Sequence, residues 1–197
     1  MLRAGVTLYF VRHGETDWNR AKRYQGQRDI PLNDTGRAQA SRNGRVLAEM
    51  LGDGAASLLY LASPLVRARE TMEIIRRELR LSPAGYRTDD RLREIHYGHW
   101  EGRLWQELPL TDPADYAARQ ADPWNWQPAR GESYRMLSER VAHCLGETQN
   151  DAVVVSHGGV SKVLRGLVLQ LAGTEIAQLD VPQDKVLMIK AGTALWL

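Results

Sequence analysis

The pattern of apolar positions divides the chain into short apolar runs and longer segments of mixed character. The runs are rich in β-branched and other bulky side chains, which is typical of strands that are buried on both faces of a parallel sheet. They cover residues 6–11, 58–62 and 152–155. A further pair at 186–190 and 194–197, around the turn residues 191–193, predicts a closing hairpin. We therefore expect three buried strands and a terminal hairpin.

The longer segments carry apolar residues at spacings of three and four, which predicts amphipathic helices. These helices are expected at 36–51, 65–79, 134–145 and 160–171. Ser63 and Pro64 come just before the second helix, and we interpret them as its N-cap and its first helical residue. Ser133 is the expected N-cap of the third helix. Strands and helices thus alternate along the chain.

This alternation favours an α/β fold with three α/β/α layers and a mostly parallel central sheet. A length of 197 residues is most simply one domain, spanning residues 1–197. Residues 103–131 do not fit the alternation, since they hold four prolines, three tryptophans (Trp105, Trp124 and Trp126) and weak periodicity. We predict that this segment is an insertion or lid over the functional edge of the sheet.

Composition excludes several classes of protein. Hydrophobic residues make up 43% and charged residues 25% of the chain, as in ordinary globular proteins. No apolar run reaches the roughly 18–20 residues of a membrane span, and residues 1–5 lack the apolar region of a signal peptide. The net charge of +2 does not indicate nucleic acid. With Cys144 as the one cysteine, we expect a cytoplasmic protein that binds neither membrane nor nucleic acid.

Reactive and cationic residues follow the predicted strands. The first strand ends in Arg12, His13 and Gly14, and the third leads into Ser156, His157 and two glycines. Arg67 lies one turn into the helix after the second strand, and Glu94 stands among apolar residues. Because ligands bind at the carboxyl edge of open α/β sheets, we expect these residues to converge on one rim.

Such a rim suits phosphoryl transfer. Two arginines can bind a dianion in bidentate fashion, and a neutral imidazole can attack phosphorus. We expect the second histidine to be cationic next to the anion, and Glu94 to protonate the leaving oxygen. A divalent ion on His13, His157 and Glu94 would be repelled by the two arginines, so we predict no metal and no cofactor. The nucleotide-binding loop GxxxxGK[ST] is also absent after the third strand.

Five ordered blocks of sequence resemble the histidine phosphatase superfamily in its phosphoglycerate mutase-like branch. The blocks cover residues 11–19, 25–33, 63–68, 94–102 and 156–159. They occur in the family's order and extend over most of the chain. A lone Arg-His-Gly triplet would be weak evidence for this family, but five blocks in the family's order are specific evidence for it.

The resemblance implies a phosphoglycerate mutase-like fold and a role for each matching residue. His13 would form the phosphohistidine intermediate, and Arg12, Arg67 and His157 would complete the phosphate pocket. Glu94 would act first as general acid and then as general base. The further residues implied to bind phosphate or substrate are Asn19, Thr16, Gln25, Gly26 and Gly158. Glu101 is a second acid candidate, and a pocket-lining role for His99 stays open.

Three functions remain open at this level: a phosphomonoesterase, a phosphoglycerate mutase and a non-catalytic phosphate-binding module. Mutases of the family carry a longer insertion with paired arginines, whereas Arg103, Arg119 and Arg130 of residues 103–131 are not adjacent. The intact set of catalytic positions argues against the module. We therefore predict a metal-independent phosphatase, resembling small bacterial phosphatases, that acts on a small phosphorylated metabolite. A homodimer through the terminal hairpin also stays open.

Overall fold

The computed structural model describes residues 2–197, so Met1, the first residue of the segment considered above as a signal peptide, lies outside it. The strands are β1 (Thr7–Arg12), β2 (Leu59–Ala62), β3 (Arg87–Thr88), β4 (Ala152–Ser156), β5 (Val186–Lys190) and β6 (Thr193–Trp196). The α-helices are α1 (Asp17–Arg20), α2 (Asp34–Leu51), α3 (Val66–Glu78), α4 (Leu108–Thr111), α5 (Pro113–Ala121), α6 (Tyr134–Glu147), α7 (Gly158–Leu169) and α8 (Gly173–Gln178). None of the helices in this part of the chain is both long and apolar enough to cross a membrane.

The strands form one six-stranded sheet in the order β3-β2-β4-β1-β5-β6. Strands β1 to β4 pair in parallel, whereas β5 and β6 are antiparallel. The predicted α/β class, mostly parallel sheet and terminal hairpin are confirmed. Because β1 and β4 are neighbours with Arg12 opposite Ser156, the segments that follow them leave the sheet side by side.

Helices cover both faces of the sheet, as expected for three layers. On one face, Leu47 of α2 and Met72 and Ile75 of α3 pack against β4. On the other, α6 and α7 pack over Leu8 and Phe10 of β1. Each fully buried side chain of this size contributes roughly 1.5–3 kcal/mol of apolar burial. These two layers hold the strand ends in fixed positions.

The predicted start of the second long helix is wrong. Helix α3 begins at Val66 and not at Pro64, and the Ser63 side chain is not its cap. The Val66 amide instead donates to Asp29 Oδ1 of a distant loop at 2.6 Å. Ser63 is free of the capping role because its hydroxyl lies 2.7 Å from Nε2 of His157. Ser63, which the local pattern predicted to cap the helix, therefore makes a tertiary contact with His157 instead.

Residues 103–131 contain more regular structure than their composition predicts. They form α4 and α5, with a proline in the first turn of each, where proline is tolerated because the amide has no helical partner. Leu108 packs with Tyr24 and Trp100 in a small separate core. That this segment acts as a lid stays a prediction.

Candidate active site

A cavity of about 500 Å³ opens at the carboxyl ends of β1 and β4. Its walls include residues that come from distant parts of the sequence: Arg12, His13, Asn19, Gln25, Gly26, Arg67, Glu94 and Gly158. The rings of His13 and His157 lie edge to face with centroids 5.1 Å apart. The convergence expected from the strand ends is therefore present in the fold.

His13 is held in one orientation by its backbone neighbours. Its amide donates to Ser156 O at 2.9 Å, and its Nδ1 lies 2.7 Å from Gly14 O. Because a carbonyl can only accept, the proton is on Nδ1 and Nε2 carries the lone pair. No side chain would fit at Gly14, because a Cβ there would overlap the backbone of Gly36 on α2. The loop is thereby fixed with Nε2 as the unprotonated nitrogen.

The charge state of His13 suits a nucleophile. Burial lowers its pKa well below the ordinary 6.5, and the positive charges of Arg67 and Arg12 lower the pKa further. The imidazole is therefore neutral at physiological pH.

Arg67 contacts His13 directly. Its Nε donates to Nε2 of His13 at 3.2 Å, while its other nitrogens donate to the carbonyls of Arg28 and Gly26. Arg67 is fully buried, and its pKa is lowered to about 10 by burial, so it stays charged at pH 7. A phosphoryl group that approaches Nε2 would meet this guanidinium.

Arg12 also lines the cavity. One of its terminal nitrogens donates to Val181 O at 2.6 Å. Its Nε is buried and has no hydrogen-bond partner among residues 2–197. A buried donor without a partner is costly unless a ligand accepts its hydrogen bond, so Arg12 Nε is a donor available to a bound anion.

His157 is a buried imidazole whose ring lies edge to face with that of His13. Burial, followed by the charges of Arg67 and His13, lowers its pKa well below 6.5, so it is neutral in the ligand-free site. The Leu65 amide donates to Ser63 Oγ at 3.3 Å, and the same hydroxyl shares a hydrogen bond with Nε2 of His157. Nδ1 of His157 is buried and has no partner within the described chain. This nitrogen is therefore available to a ligand, and it donates when it carries the proton.

Glu94 and Glu101 occupy different places. Glu94 lines the cavity, and the Gly159 amide in the first turn of α7 donates to its carboxylate at 3.0 and 3.2 Å. Arg140 and Gln27 both donate to the backbone carbonyl of Glu94. Glu101 instead accepts from the amides of residues 27 and 97 and does not line the cavity. The structure thus brings Glu94, but not Glu101, to the site.

Thr16 lies behind the cavity wall rather than on it. Its hydroxyl accepts from the Asn19 amide at 3.1 Å and donates to Gln25 Oε1 at 2.9 Å. The carboxamide oxygen of Asn19 accepts from the Thr16 amide and from Gln183. Asn19 therefore has its NH₂ group left for a ligand, and Thr16 holds Asn19 and Gln25 in place.

Several lining residues were not predicted as site residues from the sequence. They are Arg23, Tyr24, Tyr97, Trp105, Arg119, Tyr134, Lys162, Leu179, Asp180 and Val181. They come from loops and helix faces whose positions depend on tertiary packing. His99, considered above for the pocket, is not among the lining residues, and its Nε2 lies 2.8 Å from Asp112 Oδ2. An Arg103 nitrogen lies 3.3 Å from the same carboxylate, so this cluster is a surface ion-pair network.

Comparison with known proteins finds relatives that match most of the chain. The chain is 37% identical over 163 residues to "Phosphoglycerate mutase-like protein 4" of Arabidopsis thaliana, covering 80% of this chain and 68% of that protein. It is 34% identical over 176 residues to "Glucosyl-3-phosphoglycerate phosphatase" of Mycolicibacterium vanbaalenii, covering 83% of this chain and 74% of that protein.

A solved structure agrees over nearly the whole length. "Bacillus stearothermophilus YhfR" superposes with a TM-score of 0.81 at 30% identity, covering 98% of this chain and 95% of that one. The sequence profile of the histidine phosphatase superfamily (branch 1) matches residues 8–194. The chain therefore belongs to the histidine phosphatase superfamily.

Proposed function

We propose that the protein is a phosphomonoesterase that hydrolyses a small organic phosphate ester through a phosphohistidine on His13. The observation that carries this proposal is the state of His13: a buried, neutral imidazole whose Nε2 lone pair lies 3.2 Å from Arg67 Nε. A neutral nucleophile next to fixed cations is what attack on a phosphate dianion requires.

In the first step, Nε2 of His13 bonds to phosphorus while the bond to the ester oxygen breaks. Arg67, Arg12 Nε and Nδ1 of His157 donate to the phosphoryl oxygens, helped by Asn19. These donors neutralise charge without a metal. The dianion also raises the pKa of His157, so the cationic form expected from the sequence belongs to the liganded site.

Glu94 supplies the proton for the leaving group. As an acid it protonates the departing alkoxide, and as a carboxylate it takes a proton from the water that attacks the phosphohistidine. The second step breaks the bond between Nε2 and phosphorus, releases inorganic phosphate and returns Glu94 to its acid form. The Gly159 amide holds the carboxylate in position for both transfers.

The proposal is tested by hydrolysis of p-nitrophenyl phosphate in the presence of a chelator. We expect turnover by the wild type and a loss of roughly 10⁴-fold or more in kcat for His13→Ala, as when other covalent nucleophiles are removed. Full activity of His13→Ala would rule out the phosphohistidine route. Activity that disappears in chelator and returns with a divalent ion would rule out the metal-independent mechanism.

A phosphoglycerate mutase is the second candidate. The cations in the outer part of the cavity favour it, because they could bind a second phosphate. A mutase must retain a doubly phosphorylated intermediate. The segment 103–131 is shorter than the insertion of the mutases, which argues against such retention. Incubation with 3-phosphoglycerate separates the two functions. We expect free phosphate in excess over 2-phosphoglycerate, and the opposite ratio would make the protein a mutase.

A further inference from the structure

The outer half of the cavity carries cations that are not adjacent to His13. Arg12 and Arg67 surround the nucleophile, whereas Arg23, Arg119 and Lys162 line the rest of the wall. The carboxylates on the same wall are Glu94 and Asp180. Positive groups therefore outnumber negative ones even after a phosphate dianion has taken the two inner arginines.

Arg119 is a half-buried cation with no carboxylate partner among residues 2–197. It lies on α5, with its guanidinium carbon 5.9 Å from the centre of the Tyr24 ring. Tyr97 and Tyr134 are the next phenols beside it. Burial raises the pKa of Tyr134 to about 12 and that of Tyr97 well above 10, so these neighbours are neutral and leave the charge of Arg119 uncompensated.

Lys162 brings a second cation to the same region. Its Nζ donates to Ala177 O at 2.7 Å, which fixes the ammonium near the start of α7. Burial lowers the pKa of Lys162, and the charge of Arg119 lowers the pKa further, while Asp180 opposes that effect. Both cations line the same cavity, so an anion bound there would be attracted to each of them.

We infer that the substrate carries a second anionic group, a carboxylate or a further phosphate, which binds Arg119 and Lys162 while its phosphoryl group lies against His13. This inference rests on the proposed phosphatase function and names its substrate class. The planar guanidinium can bind either oxyanion in bidentate fashion. The tyrosine rings form the apolar wall along the carbon skeleton of the substrate.

Matched substrates test the inference. The first pair is 3-phosphoglycerate and glycerol 3-phosphate, which share a carbon skeleton and differ in the carboxylate. The second pair is the bisphosphate and the monophosphate of propane-1,3-diol. We expect kcat/KM for the more anionic member to be at least about tenfold higher in one pair, and that pair identifies the anion as carboxylate or phosphate. Ratios near one in both pairs would overturn the inference.

Variants at position 119 connect the preference to one side chain. Arg119→Met should lower the preferred ratio by about tenfold or more, and Arg119→Lys should restore part of it. Arg130→Met is the matched control, because Arg130 is an exposed arginine of the same segment outside the cavity lining, and it should keep the wild-type ratio. If Arg119→Met slows both members of a pair equally, Arg119 supports the fold of α5 and the inference is wrong.

Binding measurements keep this inference separate from the proposed activity. Calorimetric titration of the wild type with 3-phosphoglycerate, glycerol 3-phosphate and the two propanediol phosphates measures the anion preference without turnover. A preference that depends on Arg119, with no hydrolysis of any ester, would keep the anion subsite and refute the phosphatase. His13-dependent hydrolysis with no preference would refute the subsite and keep the phosphatase.

Discussion

The inner and outer ends of the cavity are built differently. At the inner end, side chains at strand ends are fixed by backbone contacts, as when His13 donates to Gly14 O and Arg67 donates to two carbonyls. At the outer end, Arg119 comes from the short helix α5 and has neutral phenols as neighbours. From this difference we expect the strand ends to carry the reaction, and residues 103–131 and the loop at 179–181 to decide the choice of substrate.

Replacing Glu94 should have the largest effect on the inner end after loss of His13 itself. Glu94→Gln should lower kcat/KM for an alkyl phosphate by about 10²–10⁴-fold, since an alkoxide needs a proton donor. It should lower kcat/KM for p-nitrophenyl phosphate far less, because nitrophenolate leaves without a proton. Steady-state kinetics with the two substrates measure the difference. Equal losses for both would contradict a general-acid role.

Glu101→Gln is the matched control for Glu94→Gln. Glu101 accepts from two backbone amides away from the cavity, so its replacement should leave the dependence on the leaving group unchanged. We expect a decrease of about 1–3 kcal/mol in the free energy of unfolding, measured by urea titration. A leaving-group effect in this variant would make Glu101 the acid instead.

Ser63→Ala tests how the inner end fixes His157. Without the hydroxyl, Nε2 of His157 loses its hydrogen-bond partner at 2.7 Å, and the ring is held less firmly in one orientation and tautomer. We expect kcat to fall by about tenfold, within the range for loss of one orienting hydrogen bond, and Ser63→Thr to retain more activity. The same kcat in Ser63→Ala and the wild type would show that Nδ1 of His157 needs no such support.

The two buried histidines also make stability depend on pH. Burial and then Arg67 lower the pKa of both His13 and His157 below the value of about 6.5 in the unfolded chain. Below pH 6.5 the unfolded chain binds protons that the native site does not, so stability is full above 6.5 and falls on acidification. Each histidine contributes up to about 1.4 kcal/mol per pH unit.

Urea unfolding between pH 7 and 5 measures this dependence. His13→Asn should show a shallower decrease in the free energy of unfolding than the wild type, because one of the two depressed groups is gone. An equal slope in both proteins would show that His13 accepts a proton in the native site.

The sequence predicted the inner end well because its residues follow strands whose apolar runs are unambiguous. Residues 152–155 could only be a buried strand, and β4 then places His157 beside His13. Ser63 was misassigned because a local pattern cannot show that a remote histidine binds its hydroxyl. Arg119 could not be distinguished from a solvated arginine, since its surroundings depend on how α5 packs against Tyr24 and Tyr97. The reaction could thus be predicted from residues that directly follow the strands in the sequence. The specificity could not, because it depends on tertiary packing.

The central claim is a covalent phosphoryl group on His13, and Glu94→Gln offers the most direct test. With p-nitrophenyl phosphate this variant should still form the phosphoenzyme but hydrolyse it slowly, because the base for water is missing. Rapid mixing followed by an alkaline quench and peptide mass spectrometry locates the phosphate. The account predicts a burst of about one equivalent of nitrophenol and a phosphate on the peptide at His13. No burst together with direct hydrolysis, or phosphate on another residue, would contradict it.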